Sequence, residues 1–128
     1  PDRIQRAWSQ AQRPDQWWVA DFTYVHTSCG FSYVAFVTDV FTREILAYVV
    51  DTRATTSLVI RALRQALAIR QRQDPYFDSA GVIHHSDAGS QYTSTDLRRL
   101  LAVHQMEGSI GTVGDAYDNG LMESTIGL

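Results

Sequence analysis

The chain reads as an α/β domain with a five-stranded mixed sheet flanked by helices. Three observations predict this. Three strand-like runs follow one another across short loops, which implies antiparallel hairpins. A long amphipathic stretch then separates them from a fourth apolar run, which should return parallel to an earlier strand by a crossover. A second amphipathic stretch, a short fifth run and a final helical start complete the order β-β-β-α-β-α-β-α.

Each element has its own warrant. Ile4, Ala7, Trp8 and Ala11 recur at helical spacing until Pro14, so residues 1–13 are expected to form a linker or docking helix, with 14–128 as the core. Trp17 to Val25 is rich in β-branched and aromatic residues with apolar side chains on both parities, as in a central strand covered on both faces. Asp21 interrupts it, and a buried carboxylate costs several kcal/mol unless paired or coordinated. Ser28-Cys29-Gly30 turns the chain into a second strand, Phe31 to Thr38. Asp39 to Arg43 turns it into a third, Ile45 to Val50. Asp39 suits an Asx turn, and Arg43 and Glu44 read as hairpin surface.

Thr55 or Thr56 should cap a helix running to about Gln73, with Val59, Ala62, Leu63, Ala66 and Leu67 on one face. Val82 to His85 is the fourth strand, and Ser94 or Thr95 caps a helix packed through Leu97, Leu100, Leu101 and Val103. Gln105 to Ile110 is the fifth strand. Gly111 to Asp118 reads as a loop, and Asp118 or Asn119 caps a last helix that the end of the sequence cuts short.

Composition narrows the classes. The 128 residues suffice for one core, and 45% hydrophobic with 20% charged residues is ordinary for a globular domain. No apolar run approaches the roughly 20 residues of a membrane span, and the polar start is not a signal peptide. A lone Cys29 excludes an internal disulfide and fits a reducing, cytoplasmic setting. The net charge of −3 argues against tight DNA binding by this chain alone.

Three carboxylates stand in special places: Asp21 within the first strand, Asp87 at the exit of the fourth, and Glu123 one turn into the last helix. If the first and fourth strands are neighbours, Asp21 and Asp87 converge at the crevice beyond the strand ends, where open sheets bind ligands. A helix crossing that end brings in Glu123. Clustered carboxylates repel unless a cation neutralises them, and hard oxygen donors select Mg²⁺ or Mn²⁺. Two such ions about 3.5–4 Å apart suit in-line phosphoryl displacement.

Between Asp87 and Glu123 lie 123 − 87 − 1 = 35 residues, a D, D(35)E pattern. The words Trp18-Val19-Ala20-Asp21-Phe22-Thr23-Tyr24, His85-Ser86-Asp87-Ala88-Gly89-Ser90-Gln91-Tyr92 and Asp118-Asn119-Gly120-Leu121-Met122-Glu123-Ser124 agree with it. From about Pro14 to Leu128 the chain resembles bacterial insertion-sequence DDE transposases made by joining two reading frames, with a retroviral-integrase-like catalytic core. The resemblance implies an RNase H-like fold and Mg²⁺-dependent cleavage and strand transfer of DNA. It also implies Asp21, Asp87 and Glu123 as metal ligands and catalytic residues, and bacterial cytoplasm as the setting. The partners it implies are DNA, both element ends and target, and further copies of the chain in the active complex. Gln91, Tyr92 and Asn119 are candidate DNA contacts, weighed against loop and cap hydrogen bonding.

The sequence departs from the family at three points. Ala88 stands where a basic residue is common, and Gly120 where alanine is. The basic residue expected seven places beyond the glutamate falls past Leu128. The helix-turn-helix region expected to read element ends is absent from this sequence. Two alternatives follow from the residues: an RNase H-like nuclease that nicks without joining, and an inactive DNA-binding or oligomerising remnant. His84 and His85 lack zinc-site spacing partners, and core packing is the expectation for Trp17 and Trp18. Solvation and capping account for Asp115 and Asp118.

Overall fold

The computed structural model describes residues 11–28, 30–87, 89 and 91–111. Strands β1 (Trp17–Thr27), β2 (Gly30–Asp39) and β3 (Ile45–Asp51) form an antiparallel meander. Helix α1 (Thr56–Gln73) crosses back to β4 (Ile83–Ser86), and α2 (Thr95–Val103) leads to β5 (Glu107–Ile110). The sheet order is β3-β2-β1-β4-β5, with β4 parallel to both β1 and β5. The expected mixed sheet, its hairpins and its crossover are all present. Residues 11–13 are irregular rather than helical, and the rest of the expected first helix lies outside the described residues, as does the last helix.

β1 is the centre of the sheet, which explains its apolar residues on both parities. Trp18, Val19 and Ala20 are successive and all buried. Trp18, Ala20 and Phe22 of β1 pack into the core with Leu58, Leu63 and Ala66 of α1 and Leu97 and Leu101 of α2. Val19 lies on the other face with Val40, Trp17, Phe36 and Ile83. Burying a side chain such as Leu58 or Leu63 contributes about 1.5–3 kcal/mol. The helices start where short polar residues satisfy free N–H groups. Thr55 accepts from the Leu58 N–H and Ser94 from the Leu97 N–H, each at 3.3 Å. β5 begins later than its sequence suggests because Gln105 takes a left-handed conformation (φ 57°) that closes α2. The Met106 N–H then bonds back to the Leu101 carbonyl at 2.9 Å.

Asp39 does more than turn the chain. Its Oδ1 accepts from the Phe41 and Thr42 N–H groups, as an Asx turn requires. Its Oδ2 accepts from the Asp15 N–H at 2.6 Å and from the Arg70 guanidinium at 3.0 Å. Arg70 also donates to Asp15 Oδ1, Glu44 Oε1 and Gln73 Oε1. Burial acts against its charge, but these carboxylate bonds outweigh burial and hold its pKa above the ordinary value. One buried cation therefore ties the entry of β1, the β2–β3 turn and the end of α1. Among the described residues, no helix is long and apolar enough to cross a membrane.

Candidate catalytic site

The position of the site follows from strand register. In the parallel pair, Trp17 aligns with Ile83, Trp18 with His84 and Val19 with His85. Carried two residues further, the same register sets Asp21 level with Asp87, at the point where β4 has just ended. Paired residues of neighbouring strands share a face, so Asp21 belongs with Val19 on the side away from α1. Both aspartates are half-buried. Asp21 Oδ1 accepts from the Phe22 N–H at 2.8 Å, which turns the carboxylate along the strand.

Tyr92 reports the charge of this region. It is 4% exposed, and its ring stacks on Phe22 at 5.9 Å with an 18° interplanar angle. Burial raises its phenol pKa well above the ordinary value, and the negative charges of Asp21 and Asp87 raise it further. The phenol is therefore a neutral O–H donor at physiological pH. Among the described residues it has no hydrogen-bond partner. Both carboxylates thus raise the pKa of one buried phenol, whose ring packs with Phe22 on the α1 side of the sheet.

The strand below is built around two histidines on opposite faces. His85 Nδ1 lies 2.8 Å from Ser109 Oγ, locking β4 to β5. His84 is buried on the α1 side, where burial pulls its pKa down to about 4 and His85 lowers it slightly more. It is a neutral packing residue. With Ser86, Tyr92, Arg98 and Met106, His84 lines a cleft of about 530 Å³ between α2 and β5.

The remaining candidates divide. The Gln91 side chain donates to the Ala54 carbonyl at 3.0 Å, so it ties the loop after β4 to the start of α1. That bond supports the loop-bonding reading of Gln91. Glu123 and Asn119 lie outside the described residues, as do Ala88 and Gly120. Among the described residues, no group of three or more His, Cys, Asp or Glu comes together to hold a metal. Asp21 and Asp87 supply two hard oxygen donors beside an unsatisfied hydroxyl. That donor set fits a hard divalent cation, given a third acidic ligand.

Comparison with known proteins places this geometry. The integrase core domain matches residues 11–116. The chain is 46% identical over 127 residues to the transposase for insertion sequence element IS629 of Shigella sonnei, covering 99% of this chain and 40% of the relative. It is 37% identical over 114 residues to transposase InsF of insertion sequence IS3A from Escherichia coli K12, covering 89% and 38%. The chain therefore spans less than half the length of these relatives. Among solved structures, the simian T-cell lymphotropic virus intasome superposes with a TM-score of 0.75 at 19% identity, covering 91% of this chain and 39% of that one. The HTLV-2 integrase catalytic core in complex with magnesium gives 0.71 at 17%, covering 92% and 68%. The Mos1 mariner transposase catalytic domain gives 0.70 at 14%, covering 88% and 59%. The fold is RNase H-like, its curated relatives include insertion-sequence transposases, and the chain belongs to the integrase core domain family.

Proposed function

We propose that this chain is the catalytic core of an insertion-sequence DDE transposase, which cuts DNA at the element ends and joins them to a target. The observation that carries this reading is the parallel β1–β4 register, which sets Asp21 level with Asp87, with the charges of both felt at the Tyr92 hydroxyl. Glu123, with 35 residues between it and Asp87, is the third acid. Together these carboxylates would hold Mg²⁺ or Mn²⁺, which supplies Lewis-acid stabilisation of charge on the reacting phosphate.

The chain's own residues set the geometry. Asp21 sits in the central strand and Asp87 one residue past the end of β4, so a phosphate held there would be positioned largely by the sheet. In the first step a water oxygen forms a bond to phosphorus and the 3′-oxygen leaves, taking a proton. In the second, that 3′-hydroxyl gives up its proton and its oxygen bonds to phosphorus in a phosphodiester of the target strand, whose own 3′-oxygen leaves and takes a proton. Element ends and target DNA are the partners, and joining two ends calls for an assembly of several copies. A linker at residues 1–13 and a core at 14–128 remain the proposed division of the chain.

The test is strand transfer by the full-length enzyme with a pre-cut element end and Mg²⁺. Asp21→Asn, Asp87→Asn and Glu123→Gln should each reduce joined product at least about 10³-fold while far-UV circular dichroism and thermal midpoint stay unchanged. Joining at the wild-type rate by any one of them removes that residue from the site. Nicks without joined product in the wild type would make the protein a nuclease instead.

A further inference from the structure

The two aspartates stand one pleat above a buried polar pair. Register aligns Val19 of β1 with His85 of β4, and His85 with Ser109 of β5. Val19, His85 and Ser109 therefore form a row across three strands, on the face that carries Asp21 and away from α1. All three are buried, at 2%, 1% and 0% exposure. Asp21 and Asp87 each come two residues further along the chain, so the row lies about 6.6 Å beneath their level.

Within the row, His85 Nδ1 and Ser109 Oγ lie 2.8 Å apart. Just beyond it the Gly111 N–H donates to the Ser86 carbonyl at 2.7 Å, the last rung between β4 and β5 among the described residues. β4 hands on to Asp87 directly after Ser86, and β5 hands on at Gly111 to the run of sequence that carries Glu123. The pair thus sits where the chain leaves the sheet toward two of the three acids. Packing alone does not call for it. Val19, Val40, Phe36 and Ile83 on this face are apolar, and replacing both partners of a buried hydrogen bond by apolar groups of the same shape is nearly neutral for stability. What the bond adds is direction. Apolar contact is non-directional and tolerates sliding, whereas a satisfied side-chain bond fixes how far one strand end sits along the other.

We propose that His85 and Ser109 are positioning residues for Asp87, and that their bond sets the ratio of Mg²⁺ to Ca²⁺ affinity at the carboxylate site. The proposal rests on the reading of Asp21, Asp87 and Glu123 as metal ligands. Mg²⁺ demands near-ideal octahedral geometry at about 2.0–2.1 Å from its oxygens, whereas Ca²⁺ accepts irregular shells at about 2.3–2.6 Å. An acid held to within about 0.5 Å suits the first ion. An acid free to shift further still serves the second. Neither His85 nor Ser109 is a ligand in this scheme. They act through the end of β4, as the outer partners of metal sites act through the ligands they orient.

The experiment follows the thermal midpoint of this 128-residue chain as MgCl₂ or CaCl₂ is added at constant ionic strength, which gives an apparent Kd for each cation. His85→Leu with Ser109→Ala removes the bond and keeps the row close to filled, so the metal-free midpoint should hold within a few degrees. Its Kd for Mg²⁺ should rise at least about tenfold, and its Kd for Ca²⁺ by less than about threefold. Ser109→Ala alone, the smallest change, should shift the ratio in the same sense and carries the test if the double variant does not fold. His85→Asn, whose amide stands where Nδ1 does, should keep the wild-type ratio. The pair is overturned if the variants lacking the bond take Mg²⁺ as the wild type does. It is overturned equally if both cations weaken by the same factor, as a merely structural loosening predicts, or if His85→Asn loses Mg²⁺ as His85→Leu does. Asp21→Asn separates the two claims. Cation-dependent stabilisation that vanishes in it but stays unchanged in the double variant refutes only the positioning pair. Stabilisation that survives in it, or a wild type that neither cation stabilises, refutes the metal centre and the pair with it.

Discussion

Replacing Arg70 by methionine should destabilise the fold by about 3 kcal/mol. The Arg70 side chain is 11% exposed and its guanidinium meets three carboxylates, with the Asp39 side chain fully buried, that of Asp15 22% exposed and that of Glu44 45% exposed. Breaking one partner of a buried ion pair costs roughly 3–5 kcal/mol, because a charge is left in the interior without compensation. Here the lower end applies. Asp39 keeps three backbone donors, from Asp15, Phe41 and Thr42, and Glu44 can turn to water. Methionine retains most of the aliphatic contact, so the loss reads the charge rather than a cavity. Urea titration followed by circular dichroism should show a lower midpoint with an unchanged slope. The thermal midpoint should fall by about 10 °C for a domain of this size. A double-mutant cycle with Asp39→Asn should return a coupling above about 1 kcal/mol. The exposed pair Arg61–Asp51 is the control, and its loss should barely register. If Arg70→Met costs less than about 1 kcal/mol, or the cycle shows no coupling, the buried hub does not hold these elements together.

Two further outcomes follow from buried groups. His84 has a folded-state pKa of about 4 against roughly 6.5 unfolded, so between those values the unfolded chain binds the extra proton. Its contribution is therefore undiminished above about pH 6.5 and falls as pH drops toward 4, by about 3 kcal/mol in all. The stability difference between wild type and His84→Gln, measured by urea titration from pH 7 to pH 4.5, should shrink with acidification. A difference that stays constant refutes the assignment. Tyr92→Phe removes a buried hydroxyl that has no partner among the described residues, so stability should hold or rise by up to about 1 kcal/mol. A clear loss in the same titration would mean that the fold itself uses the hydroxyl.

Much of the architecture was legible because its signals were local. The meander follows from loop length, the crossover from a long apolar-striped helix, and the central position of β1 from apolar residues on both parities. Asp21 and Asp87 were legible as interruptions of apolar strands. Their alignment was not, since register depends on hydrogen bonding between segments 66 residues apart (87 − 21). Arg70 was missed although a trace was present: it continues the buried stripe of Leu63, Ala66 and Leu67 at helical spacing, where a solvated cation has no place. Glu44 was read as surface because nothing nearby in sequence names its partner. The His85–Ser109 bond was equally hidden, because its partners are 24 residues apart and meet only when β4 and β5 pair.

The parallel register of β1 and β4 also says where this chain can tolerate changes in length. Residues added or lost in the exposed turn between α1 and β4 alter only how the chain arrives, because the strands still lock by their own hydrogen bonds and by His85 on Ser109. A single residue deleted within His84–Ser86 is different. Side chains alternate faces along a strand, so a slip of one would turn the acid at its exit toward α1 and away from Asp21. A slip of two would restore the face but displace the acid by about 6.6 Å. Natural variants of this core should therefore differ in length at residues 74–81 and keep the count from Ile83 to Asp87.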